Sequence, residues 1–275
     1  MLTFKMNTLI RNGNMNRHIF LILTGILLAN IGVAQRPAQG PMSKKKFNPR
    51  SSGYTLVWKD DFNGDHLDSS RWAVRGIGPR ALGYVSADAV TVENGYLKLH
   101  AFKSQDSMVT GAIGSQNRLM TTYGYFECRA QLQQSPGVWG AFWLQSPHLS
   151  EGDDPSMYGA EIDVMEFFKK LGMDIVSHNV HWGPYGPNQH TAHGMQSYLK
   201  GVSKGFHTFG LEWTPEKYVF YVDGYKFYEV SSGISHIDEY IILSMELPNE
   251  MQDMQHTVFP DVFTVDYVRL YKKKE

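Results

Sequence analysis

The sequence predicts an all-β fold of two packed antiparallel sheets, and three observations point that way. From Tyr54 onward, short strand-like runs recur between turn residues. Many of them alternate apolar with polar residues: in Tyr96–Phe102, Leu97, Leu99 and Ala101 share one face, and Lys98 and His100 the other. No segment carries three or four helical turns with apolar residues at i, i+3 and i+4. Aromatic residues make up 13% of the chain, with 15 Tyr and 6 Trp, a composition that suits strands.

Taken in order, residues 1–34 read as a secretory signal peptide. A polar, basic stretch at Met15–Arg17 precedes an apolar run from Ile19 to Ala29 and a small-residue site at Gly32, Val33 and Ala34. The run is shorter than the roughly 20 residues of a membrane-spanning helix. Met15 is the more natural start, and the mature chain is expected to begin at Gln35. A lipoprotein is not expected, because lipid attachment needs a cysteine there and the sole cysteine is Cys128. The periplasm or the outside medium is the expected location.

Residues 35–52, rich in Pro, Gly, Ser and Lys, read as a flexible linker. Residues 53–275 form the working domain. Its predicted strands are Leu56–Phe62, Tyr96–Phe102, Tyr125–Gln131, Gly140–Gln145, Glu161–Phe167, Ile175–Trp182, Phe206–Trp213, Tyr218–Val222, Lys226–Val230, Tyr240–Leu247 and Phe263–Tyr271. Asp223-Gly224 is a two-residue hairpin signal. Trp58 and Cys128 read as core. A formal net charge of −1 gives no pull toward nucleic acid or an anionic membrane. A monomer with no nucleic-acid partner, and no membrane contact after signal cleavage, is expected.

The chemistry concentrates in Glu161-Ile162-Asp163-Val164-Met165-Glu166. On a regular strand Glu161 and Asp163 share a face and Glu166 takes the other. One extra residue at Val164-Met165, a β-bulge, returns Glu166 to the first face. Carboxyls crowded in this way push their pKa values apart, so that one stays protonated while another ionises. A retaining glycosidase needs such a pair, about 5–5.5 Å apart. By itself, the spacing also suits an exposed acidic edge.

The surroundings of the hexapeptide narrow the choice. Gly159–Phe167 (GAEIDVMEF) resembles the signature of glycoside hydrolase family 16 in its bulged form. Leu56–Gly64 (LVWKDDFNG), Tyr123–Leu144, Phe206–Gly224 and Asp266–Tyr271 (DYVRLY) resemble other blocks of that family, in order, across nearly all of residues 54–272. The resemblance implies a concanavalin-like β-jelly roll: two curved antiparallel sheets with an open concave cleft that takes a polysaccharide. It implies Glu161 as nucleophile, Asp163 as assisting acid and Glu166 as acid/base in endo-acting, retaining hydrolysis of a β-glucan or β-galactan, with no cofactor for the chemistry.

Trp139, Trp143 and Trp213 are candidates for stacking on sugar rings, though each suits the core equally well. Many family members carry a tryptophan shortly before the first catalytic glutamate. Here Tyr158 stands in that region, behind the acidic loop Ser146–Met157, and is the preferred stacking candidate. His181 resembles a cleft histidine of the family, and Glu246 is expected to face the cleft. Some relatives bind a structural calcium on the convex face, for which Asp61, Gly95 and Asp266 are the candidates here. The near-neutral charge mildly disfavours a heavily sulfated substrate, against which local basic residues such as Arg80 or Arg118 are able to act.

Three rival readings remain. A zinc hydrolase is suggested by His178-x-x-His181 and His190-x-x-His193, but a spacing of three on a strand divides two imidazoles between faces. A lectin-like jelly roll has no need of all three acids. A transglycosylase would use the same residues with a sugar acceptor in place of water.

Overall fold

The computed structural model describes residues 38–187, 189–192 and 194–274. The expected signal peptide at residues 1–34 lies outside the described residues. Among the described residues, no helix is long and apolar enough to cross a membrane.

The strands assemble into two sheets. The 11-stranded sheet runs from Tyr225–Val230 through Tyr218–Val222, Phe206–Trp213, Gly124–Gln131, Asp261–Lys273, Tyr96–Ser104, Ser107–Thr110 and Gly83–Val85 to Gly78–Arg80. Tyr54–Asp60 pairs with Asp261–Lys273, and Val90–Glu93 with Tyr96–Ser104. The 8-stranded sheet runs from His190–Thr191 through Ile175–Trp182, Ala160–Glu166, Trp139–Gln145, Tyr240–Glu246 and Ala112–Gly114 to Ala73–Val74. Its remaining strand, Met195–Tyr198, pairs with Ile175–Trp182. The named pairs are antiparallel except Gly83–Val85 with Ser107–Thr110, which is parallel. At the expected hairpin, Asp223 and Gly224 both take positive φ (51° and 78°), as a type I′ turn requires.

Alternation along the strands builds the core. Phe142, Leu144, Ile162, Val180, Ile241 and Leu243 of the 8-stranded sheet join one cluster with Leu97, Phe126, Cys128, Phe209, Leu211 and Phe263 of the other. Each large apolar side chain so buried contributes roughly 1.5–3 kcal/mol. The opposite faces are thereby left free for other work. On the 11-stranded sheet, the outward face carries Tyr54, Tyr125, Tyr221 and Tyr271.

That face corrects the reading of residues 35–52 as a flexible linker. The amides of Gln39, Met42 and Phe47 donate to the carbonyls of Gln196, Lys226 and Gly224 at 2.7–2.8 Å. The Phe47 ring stacks on Tyr221 at 4.8 Å and meets Tyr125 at 5.0 Å. From residue 39 the segment is part of the domain, held by partners far along the chain.

Candidate active site

The acidic strand carries the expected extra residue. Toward Trp139–Gln145, Ala141 faces Glu166 and Trp143 faces Asp163. Toward Ile175–Trp182, Ser177 faces Glu166 and Asn179 faces Asp163. Both neighbours therefore spend one residue where this strand spends two, at Val164-Met165, and both of those side chains are fully buried. A bulge disrupts the ladder, and here the Val164 carbonyl accepts from His178 Nδ1 at 2.6 Å. With its Nδ1 proton committed, His178 accepts through Nε2 from Ser197 Oγ at 2.8 Å. Burial pushes His178 down to about 4, so the imidazole is neutral. His181 takes the other face, with Nε2 3.4 Å from Asp163. The two histidines are divided as the strand period requires, and His193 lies outside the described residues.

The bulge turns Glu161, Asp163 and Glu166 into one open cavity of about 380 Å³, together with Arg75, Arg80, Trp139, Ala141, Trp143, Gln145, Tyr185 and Glu246. Trp139, Ala141, Trp143 and Gln145 come from a single strand at a period of two and form a continuous floor.

The three acids sit in different surroundings. Glu161 Oε2 accepts from Gln145 Nε2 at 3.0 Å and from the Tyr185 hydroxyl. Asp163 is buried, and burial followed by the charges of Glu161 and Glu246 raises its pKa well above the usual carboxylate range. Glu166 accepts from Trp139 Nε1 at 3.2 Å and Asn179 Nδ2 at 3.1 Å. Burial, then the Asp163 charge, raises it well above the ordinary value, against the opposing effect of the Asn179 bond. Burial and neighbouring charge thus favour a retained proton at Glu166, while two polar donors fix the position of Glu161.

Two arginines complete the wall. Arg80 grips Glu246 with two bonds, at 2.7 and 3.1 Å. Arg75 donates to Gln145 Oε1 at 2.7 Å and lies 5.0 Å over the Trp143 ring. Among the described residues Arg75 makes no ion pair.

Of the expected sugar-contacting residues, Trp139, Trp143 and Glu246 line the cavity, and His181 borders it through Asp163. Two do not. Trp213 is 1% exposed and donates to the Ser235 carbonyl at 3.1 Å. It alternates with Phe209 and Leu211 on the inward face of its strand, which makes it core. Tyr158 ends the one-turn helix Pro155–Tyr158 and does not line the cavity; its ring packs so closely over Gly152 that a Cβ there would come within 2.3 Å of it. Arg118 also lies away from the wall and donates to Ser69 O at 2.7 Å.

Gln145, Asn179, Arg75 and Tyr185 were not singled out by the sequence. Gln145 continues the period of Trp139 and Trp143, and Asn179 that of His181, so both carried a signal. Arg75, just past a two-residue strand, and Tyr185, in a loop, carried none.

The calcium ligand set does not fit. Asp266 pairs with Arg129, and Asp61 with both Lys59 and Arg269. Basic side chains already hold the two carboxylates, leaving only the Gly95 carbonyl of the expected set. In the cleft, Glu161, Asp163 and His181 bring one ligand atom each within 4.8 Å of one another.

Comparison with known proteins gives one consistent neighbourhood. A family model described as "Beta-porphyranase A-D, GH16 domain" matches residues 57–273. The glucan endo-1,3-β-glucosidase A1 of Niallia circulans is 27% identical over 274 residues, covering 82% of this chain and 39% of that protein. A β-glucanase of Rhodothermus marinus is 27% identical over 248 residues, covering 80% of this chain and 85% of that protein. The chain thus spans well under half of the first relative and most of the second. Among solved structures, SCLam, a non-specific endo-β-1,3(4)-glucanase from family GH16, superposes with a TM-score of 0.67 at 26% identity, covering 85% of this chain and 94% of that one. The two-sheet architecture is the jelly roll of those enzymes.

Proposed function

The chain belongs to glycoside hydrolase family 16, and on that premise we propose that it cuts a β-linked polysaccharide internally by a retaining double displacement. Glu161 is the nucleophile and Glu166 the acid/base. A lone pair of Glu161 forms a bond to the anomeric carbon as the glycosidic C–O bond breaks, and the leaving oxygen takes the proton from Glu166. Water then attacks the same carbon and gives a proton to Glu166, and the electron pair of the ester bond returns to Glu161. Asp163, between them on the strand, helps keep the proton on Glu166.

One observation carries this reading. The bulge brings Glu166, whose buried surroundings favour its protonated form, and Glu161, fixed by two donors, into the same open cavity. The tryptophans of the floor offer flat faces for sugar rings.

The proposed substrate is a β-galactan bearing anionic groups, in preference to a neutral β-glucan. The matching family description is of β-porphyranases, and Arg75 presents a cation to the cavity with no carboxylate partner among the described residues. The proposed route out of the cell is through the signal peptide at residues 1–34, with the enzyme released to the periplasm or the medium.

The test incubates the protein with porphyran, agarose, laminarin and mixed-linkage β-glucan, with products read by mass. Oligosaccharides from porphyran, lost in Glu161→Gln and Glu166→Gln, are the expected result. Products from laminarin alone would overturn the substrate assignment. Binding without new reducing ends on any polymer would replace the enzyme with a lectin-like module.

A further inference from the structure

Tyr185 lies in the loop between the strands Ile175–Trp182 and His190–Thr191. The residue is 56% exposed, yet its hydroxyl reaches Glu161 Oε2. The same hydroxyl contacts Gln145 Nε2. The direction of these bonds is fixed by chemistry. Gln145 Oε1 accepts from Arg75 Nη2 at 2.7 Å and from Tyr240 OH at 2.8 Å, which orients the amide with its NH2 group toward Glu161. An NH2 group only donates, so the Tyr185 oxygen accepts from Gln145 and its single proton is left for Glu161.

We propose that Tyr185 is a catalytic residue of this enzyme, donating to the non-attacking oxygen of the nucleophile throughout the reaction. The proposal rests on the assignment of Glu161 as nucleophile. With Gln145 and Tyr185 both on Oε2, Oε1 is the oxygen that attacks. In the glycosyl-enzyme the anomeric carbon is bonded to Oε1, and Oε2 becomes the ester carbonyl. When water breaks that ester, the returning electron pair places negative charge on the carboxylate, Oε2 included, where the Tyr185 proton already waits. A donor set in place before charge develops stabilises the transition state without reorganisation. Tyr185 therefore acts most strongly on breakdown of the intermediate.

The test is Tyr185→Phe, which keeps the ring as a wall and removes only the hydroxyl. A hydrogen bond to a charged group is worth enough to lower kcat about 10- to 100-fold when lost. KM should stay level or fall as the intermediate accumulates, and intact-protein mass spectrometry should show more of the covalent adduct with an activated substrate. A purely structural tyrosine would not raise the share of covalent adduct. Wild-type kcat, KM and adduct level in Tyr185→Phe, alongside an inactive Glu161→Gln, would overturn the role of Tyr185 alone. An active Glu161→Gln would overturn the nucleophile assignment and this proposal with it.

Discussion

The two sheets each present carboxylates to tyrosines on their outward faces, and only one of those faces is a candidate for catalysis. On the 11-stranded sheet, Glu127 accepts from Tyr267 at 2.9 Å and Tyr125 at 3.3 Å, while Glu212 accepts from Tyr54 at 2.8 Å and Tyr221 at 3.1 Å. Burial raises Glu127 above its ordinary pKa, as it does Glu166. The ingredients match, and the geometry does not. Phe47 packs over that tyrosine cluster, whereas the acids of the 8-stranded sheet line an open cavity. A perturbed carboxyl with tyrosine donors is therefore no site by itself. A second acid and room for a substrate decide the matter.

The sharpest way to break this comparison is to make the same change on both faces. Glu166→Gln removes the proton donor, and loss of an acid/base group costs about 10²–10⁴-fold in turnover. Glu127→Gln should leave turnover within about twofold and lower stability by about 1 kcal/mol, or roughly 2–4 °C in Tm for a domain of this size. Steady-state rates on a soluble oligosaccharide and thermal melts of both variants provide the check. A large activity loss in Glu127→Gln would erase the distinction between the faces.

The same contrast shows what the sequence was able to reveal. The long strands were legible because alternation persists along runs such as Tyr96–Ser104, and because Tyr218–Val222, apolar at every position, ends on the Asp223-Gly224 turn. Ala73–Val74, Gly78–Arg80 and His190–Thr191 span two or three residues, too few to display a period. The bulge was legible only through chemistry, since it is what lets all three acids share a face. Its support by His178 was not, because nothing local ties that imidazole to the Val164 carbonyl 14 residues away. Phe47 was hidden for a similar reason. The stretch around it has the composition of a linker, and its aromatic partners Tyr125 and Tyr221 lie in distant strands. Within the cavity, period-two residues were readable, and the loop residue Tyr185 was not.

Asp163 sharpens the comparison at the level of a pH profile. Its charge is one cause of the raised pKa of Glu166, after burial. Glu166 must be protonated for the first step, so activity falls as pH rises through that raised value. Asp163→Asn removes the charge and lowers the Glu166 pKa, which moves the basic limb of kcat/KM to lower pH. A fall of about tenfold in turnover at neutral pH is the expected size, below that of Glu166→Gln. A basic limb unmoved by Asp163→Asn would mean that Asp163 does not act on the Glu166 proton.

Glu239 offers the smallest effect on rate and an intermediate case between the two faces. It is fully buried, like a core group, yet Oε1 accepts from the Ala160 amide at 2.8 Å, one residue before Glu161. Burial pushes it up to about 8 from an ordinary 4.5, against the Ala160 and Ser235 bonds, with the Glu161 charge adding to the rise. Below about pH 4.5 the carboxyl is protonated in both folded and unfolded chains and sets no slope. Between 4.5 and 8 only the unfolded chain ionises it, so stability falls by about 1.4 kcal/mol per pH unit from this group. Glu239→Gln keeps the acceptor for Ala160 and abolishes the titration. The variant should gain on the wild type in Tm steadily from pH 5 to pH 8, with turnover at neutral pH changed about twofold or less. Parallel Tm curves would show that Glu239 is not held neutral in the folded protein.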